Sequence, residues 1–271
     1  MKAILFRLSI LLIIFFTSSS FNSKVEDFQG KAYYFSKSTM QLGNWGARLS
    51  AEQKKQIAAR LKNRLEKTYV LTFNKEESMF EEEDKLDAVS GATDSWGKNF
   101  TPGDQYKNVK SNAQIQTQEF YGKYFLVKDQ LQPIEWKMGT ESKQIGNYTC
   151  FKATASIPTN DLTWYEFSWD KLRNEDEAEA SEVKMTQVEA WYTPQIPVGH
   201  GPLEYWGLPG LILEVSAGNT TMLCSKIVMN PEEKTEIEAP KRGKEITKQD
   251  YQETIANKMR EFRDNRGRRR G

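Results

Sequence analysis

The sequence predicts an α+β fold: a large, curved antiparallel β-sheet, half-barrel-like, with an N-terminal amphipathic helix and a C-terminal helix. Short stretches with strand composition follow one another closely, glycine and proline turns separate them, and only two segments carry apolar residues at helical spacing. A chain of 271 residues can bury a substantial core. Its net charge of +1 gives no general attraction to nucleic acid, and one histidine with two cysteines cannot form a closed Cys/His zinc site.

Residues 1–22 predict a secretory signal peptide. Lys2 and Arg7 form a basic start, residues 8–16 are almost unbroken apolar sequence, and small residues follow at 17–20. This apolar run is shorter than the roughly 20 residues that a membrane-spanning helix needs. We therefore expect an exported protein with no transmembrane anchor after cleavage, located in the periplasm or, alternatively, secreted.

Residues 23–240 predict a single antiparallel-sheet domain. A helix is expected over 51–67, because Ser50 and Gln53 fit a capping box and apolar residues then recur every four positions. Residues 84–110 lack periodicity and predict a long loop, and the acidic segment 174–182 predicts a hairpin tip. The predicted strands are Lys31–Met40, Tyr69–Phe73, Ser78–Glu83, Ala113–Phe120, Tyr124–Val127, Ile134–Met138, Tyr148–Ile157, Leu162–Trp169, Val183–Tyr192, Leu211–Val215, Thr221–Met229 and Thr235–Glu238.

Residues 241–271 predict a basic C-terminal helix and tail. Tyr251, Ile255, Met259 and Phe262 form one apolar stripe, which we expect to pack on the sheet. The arginines after residue 265 suit either a solvated, frayed terminus or a basic arm for an anionic surface.

The proline-rich segment 190–215 is the candidate binding loop. Its prolines remove amide donors, so it cannot form an interior strand, and Pro209-Gly210 predicts a type II turn. A purely architectural role, turning a corner in the sheet, is the alternative. The candidate binding residues are Trp191, Tyr192, Pro194, His200, Tyr205, Trp206, Gly207, Leu208, Pro209 and Gly210.

Three blocks carry a family resemblance. Residues 207–212 read GLPGLI, residues 145–153 read IGNYTCFKA, and residues 190–197 read AWYTPQIP, with Gln195 where glutamate is usual. Together they resemble the GLPGLI family of exported Bacteroidota proteins. The resemblance implies an exported protein from a family without an assigned biochemical role, and it implies no catalytic residue, cofactor or substrate.

The reactive side chains are few. His200, the single histidine, could act as a general base or ligand, but no nucleophile motif accompanies it, and a loop histidine without chemistry is the alternative. Cys150 and Cys224 lie on predicted strands of an exported chain and could form a disulfide or remain two buried thiols. We assign no catalytic residue, metal or cofactor.

Three functions remain open from the sequence. The order of elements looks like the half-barrel of periplasmic lipoprotein carriers, although fold alone does not fix function. The first hypothesis is a non-enzymatic protein that binds an envelope protein or peptide. The alternatives are a carrier of a lipid or other apolar ligand in a half-barrel cavity, and a hydrolase that uses His200.

Overall fold

A computed structural model describes residues 28–39, 48–83, 101–167, 169, 172 and 183–268. The predicted signal peptide, the predicted hairpin tip at 174–182 and residues 269–271 lie outside these residues. The elements are β1 (Gly30–Ser38), α1 (Ala51–Arg60), α2 (Lys62–Leu65), β2 (Glu66–Phe73), β3 (Glu77–Glu82), β4 (Gln105–Asn108), β5 (Ala113–Phe120), β6 (Lys123–Gln130), β7 (Lys137–Ile145), β8 (Tyr148–Pro158), α3 (Thr159–Leu162), β9 (Met185–Thr193), β10 (Leu211–Ala217), β11 (Thr220–Met229), β12 (Lys244–Ile246) and α4 (Lys248–Arg268).

The strands form one open sheet in the order β12-β6-β5-β4-β3-β2-β1-β11-β10-β9-β8-β7. Strands β1 to β6 run as one antiparallel meander and β7 to β11 as another, and β1 joins them by pairing with both β2 and β11. The short β12 pairs parallel with β6. The predicted α+β class with a large, mostly antiparallel sheet is therefore confirmed.

The predicted N-terminal helix is present but shorter than expected. The Ser50–Gln53 capping box forms, yet the helix breaks at Leu61 and a strand begins at Glu66. Glu66 and the residue after it join β2 because they pair with the end of β1. No side chain of α1 is fully buried, so this helix contributes little to the core.

The C-terminal helix packs on the sheet as predicted. Tyr251, Ile255 and Met259 are buried, and Phe262 is half-buried. The Tyr251 ring meets the Phe125 ring of β6 edge-on, with centroids 5.4 Å apart. The helical backbone continues to Arg268, so most of the basic segment is an extension of α4.

Several strand predictions are wrong. Leu162–Trp169 is not a strand: α3 occupies its start, and Thr163 donates back to the carbonyl of Thr159 as in a helical turn. The strand predicted at Ile134–Met138 begins only at Lys137.

The predicted long loop and the last predicted strand also need correction. Residues 105–108 of that loop form β4, which is inserted between β3 and β5. Thr235–Glu238 is not a strand, because the backbone of Thr235 bonds instead to the side-chain amide of Gln29. The last strand is β12.

Two apolar clusters fill the fold. The larger lies on β1, β2, β3 and β8 to β11, and includes Leu71, Phe73, Leu211 and Leu213. The smaller joins β6 to α4 and to Trp164. Between the clusters, on β4 and β5, most buried side chains are polar.

The two cysteines do not form a disulfide. Cys150 and Cys224 are free and buried, on β8 and β11, which two other strands separate in the sheet. Burial raises the pKa of Cys150 to about 11 and that of Cys224 to about 12. Both remain protonated and act as small apolar core side chains.

Candidate functional site

Buried polar side chains cover the inward face of β4 and β5. Strand residues two positions apart share a face, so the alternation of β5 points three glutamines inward. The register places Gln105 opposite Gln116 and Lys107 opposite Gln114. We call this set the glutamine face, and each member is at most 1% exposed: Gln105, Lys107, Gln114, Gln116 and Gln118.

The side chain of Lys107 holds the proline-rich segment in place, and we call these contacts the clamp. Its Nζ lies 2.7 Å from the carbonyl oxygen of Gly201, 2.6 Å from that of Leu203 and 3.3 Å from that of Tyr205. These three bonds use every ammonium proton. They also hold Leu203 at a positive φ of 45°, a conformation that few non-glycine residues adopt. The clamp therefore fixes the backbone on both sides of Glu204.

The surroundings of Lys107 weaken its hold on a proton. Its pKa is lowered to about 7, chiefly by burial; Glu204 opposes this shift and the nearby Lys248 adds to it. Burying a charged ammonium group costs free energy. The three carbonyl partners of Lys107 and the nearby carboxylate offset that cost.

Glu204 lies between Leu203 and Tyr205, whose carbonyl oxygens bind Lys107. Its carboxylate accepts hydrogen bonds from Gln105 at 3.1 Å and from Gln114 at 3.0 and 3.1 Å. The indole nitrogen of Trp164 donates to it at 2.8 Å, and Lys248 Nζ lies 3.3 Å away. Glu204 and Lys248 form an ion pair with side chains only 12% and 13% exposed. One carboxylate thus links the loop to the glutamine face and to α4.

His200 is buried beside the clamp. Its Nε2 lies 3.1 Å from the carbonyl oxygen of Asn74, so this nitrogen carries the proton and donates. Burial first, and then the charge of Lys107, lower the pKa of His200 to about 3. The ring is neutral and fully enclosed, so it lacks the solvent-facing geometry that a general base in an open site would have.

Most of the predicted binding loop faces the interior. Trp206 is half-buried, while Pro194, Gly207 and Pro209 are exposed. The buried members are Trp191, Tyr192, His200, Tyr205, Leu208 and Gly210.

Backbone bonds close the segment on itself. Gly207 donates to Gly199, Ile212 donates to His200, and Leu211 donates to Ile196. Two indoles fasten its outer edge: Trp136 donates to the carbonyl of Trp206, and Trp206 donates to the carbonyl of Gln132, each at 2.8 Å. The segment is therefore a rigid strap across the sheet.

The predicted type II turn at Pro209-Gly210 is wrong. Gly207, with φ 87°, supplies the positive φ, and Gly210 is not in that region. Glycine is required at 210 for another reason: a Cβ there would overlap the carbonyl oxygen of Thr193.

A polar cleft lies next to Glu204. It encloses about 660 Å³ between α4, the segment after β8 and the end of β6. Partial burial raises the pKa of Asp161 in its wall, and Lys248 opposes that shift. Its lining residues are Asp129, Gln132, Asn160, Asp161, Trp164, Glu166, Phe167, Leu172, Lys248, Gln249, Gln252, Glu253, Ile255, Ala256, Asn257 and Arg260.

The residues of this region were not among the predicted site residues. Lys107 fell in a predicted loop, Trp164 in a wrongly predicted strand, and Glu204 in a segment that we valued for its aromatic residues. One signal was available: Gln114, Gln116 and Gln118 alternate along a predicted strand that ends in Phe120, which places all four side chains on one face.

Part of the chain matches a known family. The model of a family described as "Protein of unknown function (Porph_ging)" matches residues 136–214. That region contains all three sequence blocks described above, and within the fold it covers β7 to most of β10, including the strap. Residues 136–214 are thus similar to this family. No curated protein matches this chain.

Two solved structures resemble the chain loosely. "Structure of PNGF-II in C2 space group" is 14% identical with a TM-score of 0.48, and covers 84% of this chain and 32% of its own. "Structure of PNGF-II in P21 space group" gives 14%, 0.47, 84% and 33%. The chain spans about a third of the length of these structures, and a likeness of this extent leaves its function open. Among the described residues, no helix is long and apolar enough to cross a membrane.

Proposed function

We propose that this protein is an exported envelope protein of the GLPGLI family that binds an extended peptide segment of another envelope protein in the polar cleft. The observation that carries the proposal is the lining of the cleft, which is rich in hydrogen-bonding side chains and lies against a fixed buried network. Binding needs such a preorganised surface, because ordering the site on association costs affinity.

The lining suits a peptide better than a lipid. Five carboxamide side chains of the lining supply donors and acceptors together, which is what a peptide backbone requires. Its carboxylates (Asp129, Asp161, Glu166 and Glu253) outnumber its cations, and Lys248 is already paired with Glu204. We therefore propose that the favoured peptide carries lysine or arginine.

Other features support the export and shape that we propose. The first 22 residues have signal-peptide composition, and the GLPGLI block lies inside the matched family region. We further propose that the open sheet curves as a half-barrel, with the strap across its inward face. We propose binding rather than hydrolysis by His200, because this histidine is enclosed and bonded to a backbone carbonyl.

A selection from a phage-displayed library of linear dodecapeptides tests the proposal. The mature full chain serves as the bait, and fluorescence anisotropy measures the dissociation constants of the enriched peptides. We expect enrichment of peptides with lysine or arginine, and at least a tenfold loss of their affinity in the double variant Asp161→Asn, Glu253→Gln.

The matched control is Glu238→Gln, which removes a carboxylate from an exposed pair with Lys241, outside the cleft lining. This variant should bind the enriched peptides as the wild type does. If no peptide is enriched, or if enriched peptides bind the cleft variant and the wild type equally, the cleft is not a peptide site.

A further inference from the structure

Seven side chains form a closed circuit behind the cleft, which we call the inner ring. It runs from the glutamine face through Phe125 of β6 and Tyr251 of α4 to Trp164, and Glu204 closes it. Its members are Gln105, Gln116, Gln118, Phe125, Tyr251, Trp164 and Glu204.

Hydrogen bonds, aromatic ring contacts and strand register connect the members of the inner ring. Gln105 Nε2 lies 2.9 Å from Gln116 Oε1, and Gln118 shares the face of Gln116 and lies opposite Phe125. Phe125 meets Tyr251 at 5.4 Å between centroids, and Tyr251 meets Trp164 at 5.8 Å. The last two links are the hydrogen bonds that Trp164 and Gln105 donate to Glu204, at 2.8 and 3.1 Å.

Four polar atoms of the inner ring have no hydrogen-bond partner among the residues that the structure describes. They are Gln105 Oε1, Gln116 Nε2, Gln118 Nε2 and the Tyr251 hydroxyl, all on side chains at most 1% exposed. Leaving such groups unsatisfied is costly, and native proteins rarely do so. Because these unpaired groups lie on neighbouring members of one ring, they indicate a place for a polar guest.

The orientation of the two paired amides is fixed by chemistry. Glu204 is bonded as an acceptor, so the nitrogen of Gln105 must face it, and the oxygen of Gln105 must face away. The same nitrogen donates to the oxygen of Gln116, which leaves the Gln116 nitrogen as the unpaired donor. The unpaired set is therefore donors from Gln116 and Gln118, an acceptor from Gln105, and a phenol that can serve as either.

We propose that the inner ring is a binding site for a primary carboxamide group. A carboxamide has an oxygen for the two glutamine donors and an N–H for the Gln105 oxygen, and it adds no charge beside Glu204. A carboxylate would leave Gln105 unsatisfied and would meet the charge of Glu204. The inference deepens the proposed function, because Trp164 belongs to both the inner ring and the cleft lining.

The carboxamide has two sources: an asparagine or glutamine side chain of the bound peptide, or a free small amide. Acetamide is the probe for the second, and acetate is its charged isostere. The ¹⁵N-labelled mature chain is titrated with each while the side-chain N–H₂ signals of Gln116 and Gln118 are followed by NMR. We expect saturable shifts with acetamide at a dissociation constant of about 10 mM, a weak value because so few atoms bind. Acetate should bind at least tenfold more weakly.

Variants separate the inner ring from general effects. Gln118→Met should remove the saturable acetamide response of Gln116. The matched control Gln187→Met, which changes an exposed glutamine on β9, should leave it intact. Equal responses to acetate and acetamide overturn the proposal, as does the absence of any saturable shift together with water cross-peaks at both glutamines, which marks a site for ordered water only.

The peptides enriched in the phage-display selection distinguish the two sources of the carboxamide. Replacing a peptide asparagine or glutamine by aspartate or glutamate should weaken binding at least tenfold in the wild type, and less than twofold in Gln118→Met. If that substitution has no effect while acetamide still binds, the guest is a free amide. Peptide binding without any acetamide response defeats the inner-ring proposal alone, and acetamide binding without peptide binding defeats the proposed function alone.

Discussion

The two halves of this sheet have different interiors, although the same strand alternation builds both. Around β8 to β11, β1 and β2, the inward side chains are apolar and pack directly on one another and on the strap. On β4 and β5 most inward side chains are polar, and Gln105, Gln114 and Lys107 bond to Glu204 or to strap carbonyls. Close packing defines the first interior and hydrogen bonding the second.

The strap contacts both the apolar and the hydrogen-bonded interior of the sheet. On one side, Leu208 and the residues after it fill the apolar cluster. On the other, Lys107 fixes the strap so that Glu204 reaches the glutamine face. The GLPGLI segment is thus architectural in its own contacts, and it carries a carboxylate toward the cleft.

Exchanging the two kinds of side chain should have the largest effect. Leu213→Gln puts an unpartnered amide into the apolar cluster, and we expect it to lower the free energy of unfolding by about 3–5 kcal/mol. The reverse change, Gln116→Leu, removes an unpartnered donor and one acceptor of Gln105, which keeps its bond to Glu204, so it should alter that free energy by less than about 1 kcal/mol. Urea unfolding followed by fluorescence measures both. Equal losses would show that the two interiors do not differ energetically.

The clamp gives the next largest effect. Lys107→Met leaves three strap carbonyls and Glu204 without the buried ammonium, and we expect a loss of about 3–5 kcal/mol in the same assay. The control is Lys128→Met, which removes an exposed ion pair with Glu245 and should cost less than about 1 kcal/mol. A clamp variant as stable as that control would contradict the role given to Lys107.

The pH dependence of the free energy of unfolding tests the burial of His200. Its pKa is about 3 in the folded state against an ordinary 6.5, so only the unfolded state takes up the proton below pH 6.5. Stability should therefore fall as the pH falls from 6.5 toward 3, by up to about 1.4 kcal/mol per pH unit from this group.

The measurement compares wild type and His200→Gln at pH 6 and pH 5, where most carboxylates stay ionised in both states. We expect the wild type to lose more stability than the variant over this interval. Parallel pH profiles would mean that His200 titrates normally in the folded protein.

The outer edge of the strap should give the smallest effect. Trp206→Phe keeps an aromatic ring and removes the hydrogen bond to the carbonyl of Gln132. We expect a loss of about 1 kcal/mol in the urea assay. Trp169→Phe, at a side chain that is 41% exposed, is the matched change and should be close to neutral.

Local patterns were enough for much of the sheet and for the last helix. Ala113–Phe120 was predicted with its observed bounds, and the stripe of Tyr251, Ile255 and Met259 was correctly expected to face the sheet. Such predictions succeed because side-chain direction within one element depends on its own periodicity. The errors fell where distant groups decide: Thr235 bonds Gln29, and residues 105–108 become a strand only between β3 and β5.

Spacing and backbone chemistry along single stretches of chain were enough to predict the α+β class, the strap as a break in the sheet and the buried face of α4. Long-range packing places Glu204 against Lys248 and the glutamine face, encloses His200 and keeps both thiols free. These features depend on residues far apart in sequence: Glu204 and the lysine that clamps its loop are 97 positions apart. No local pattern states which buried charges will find each other once the sheet has formed.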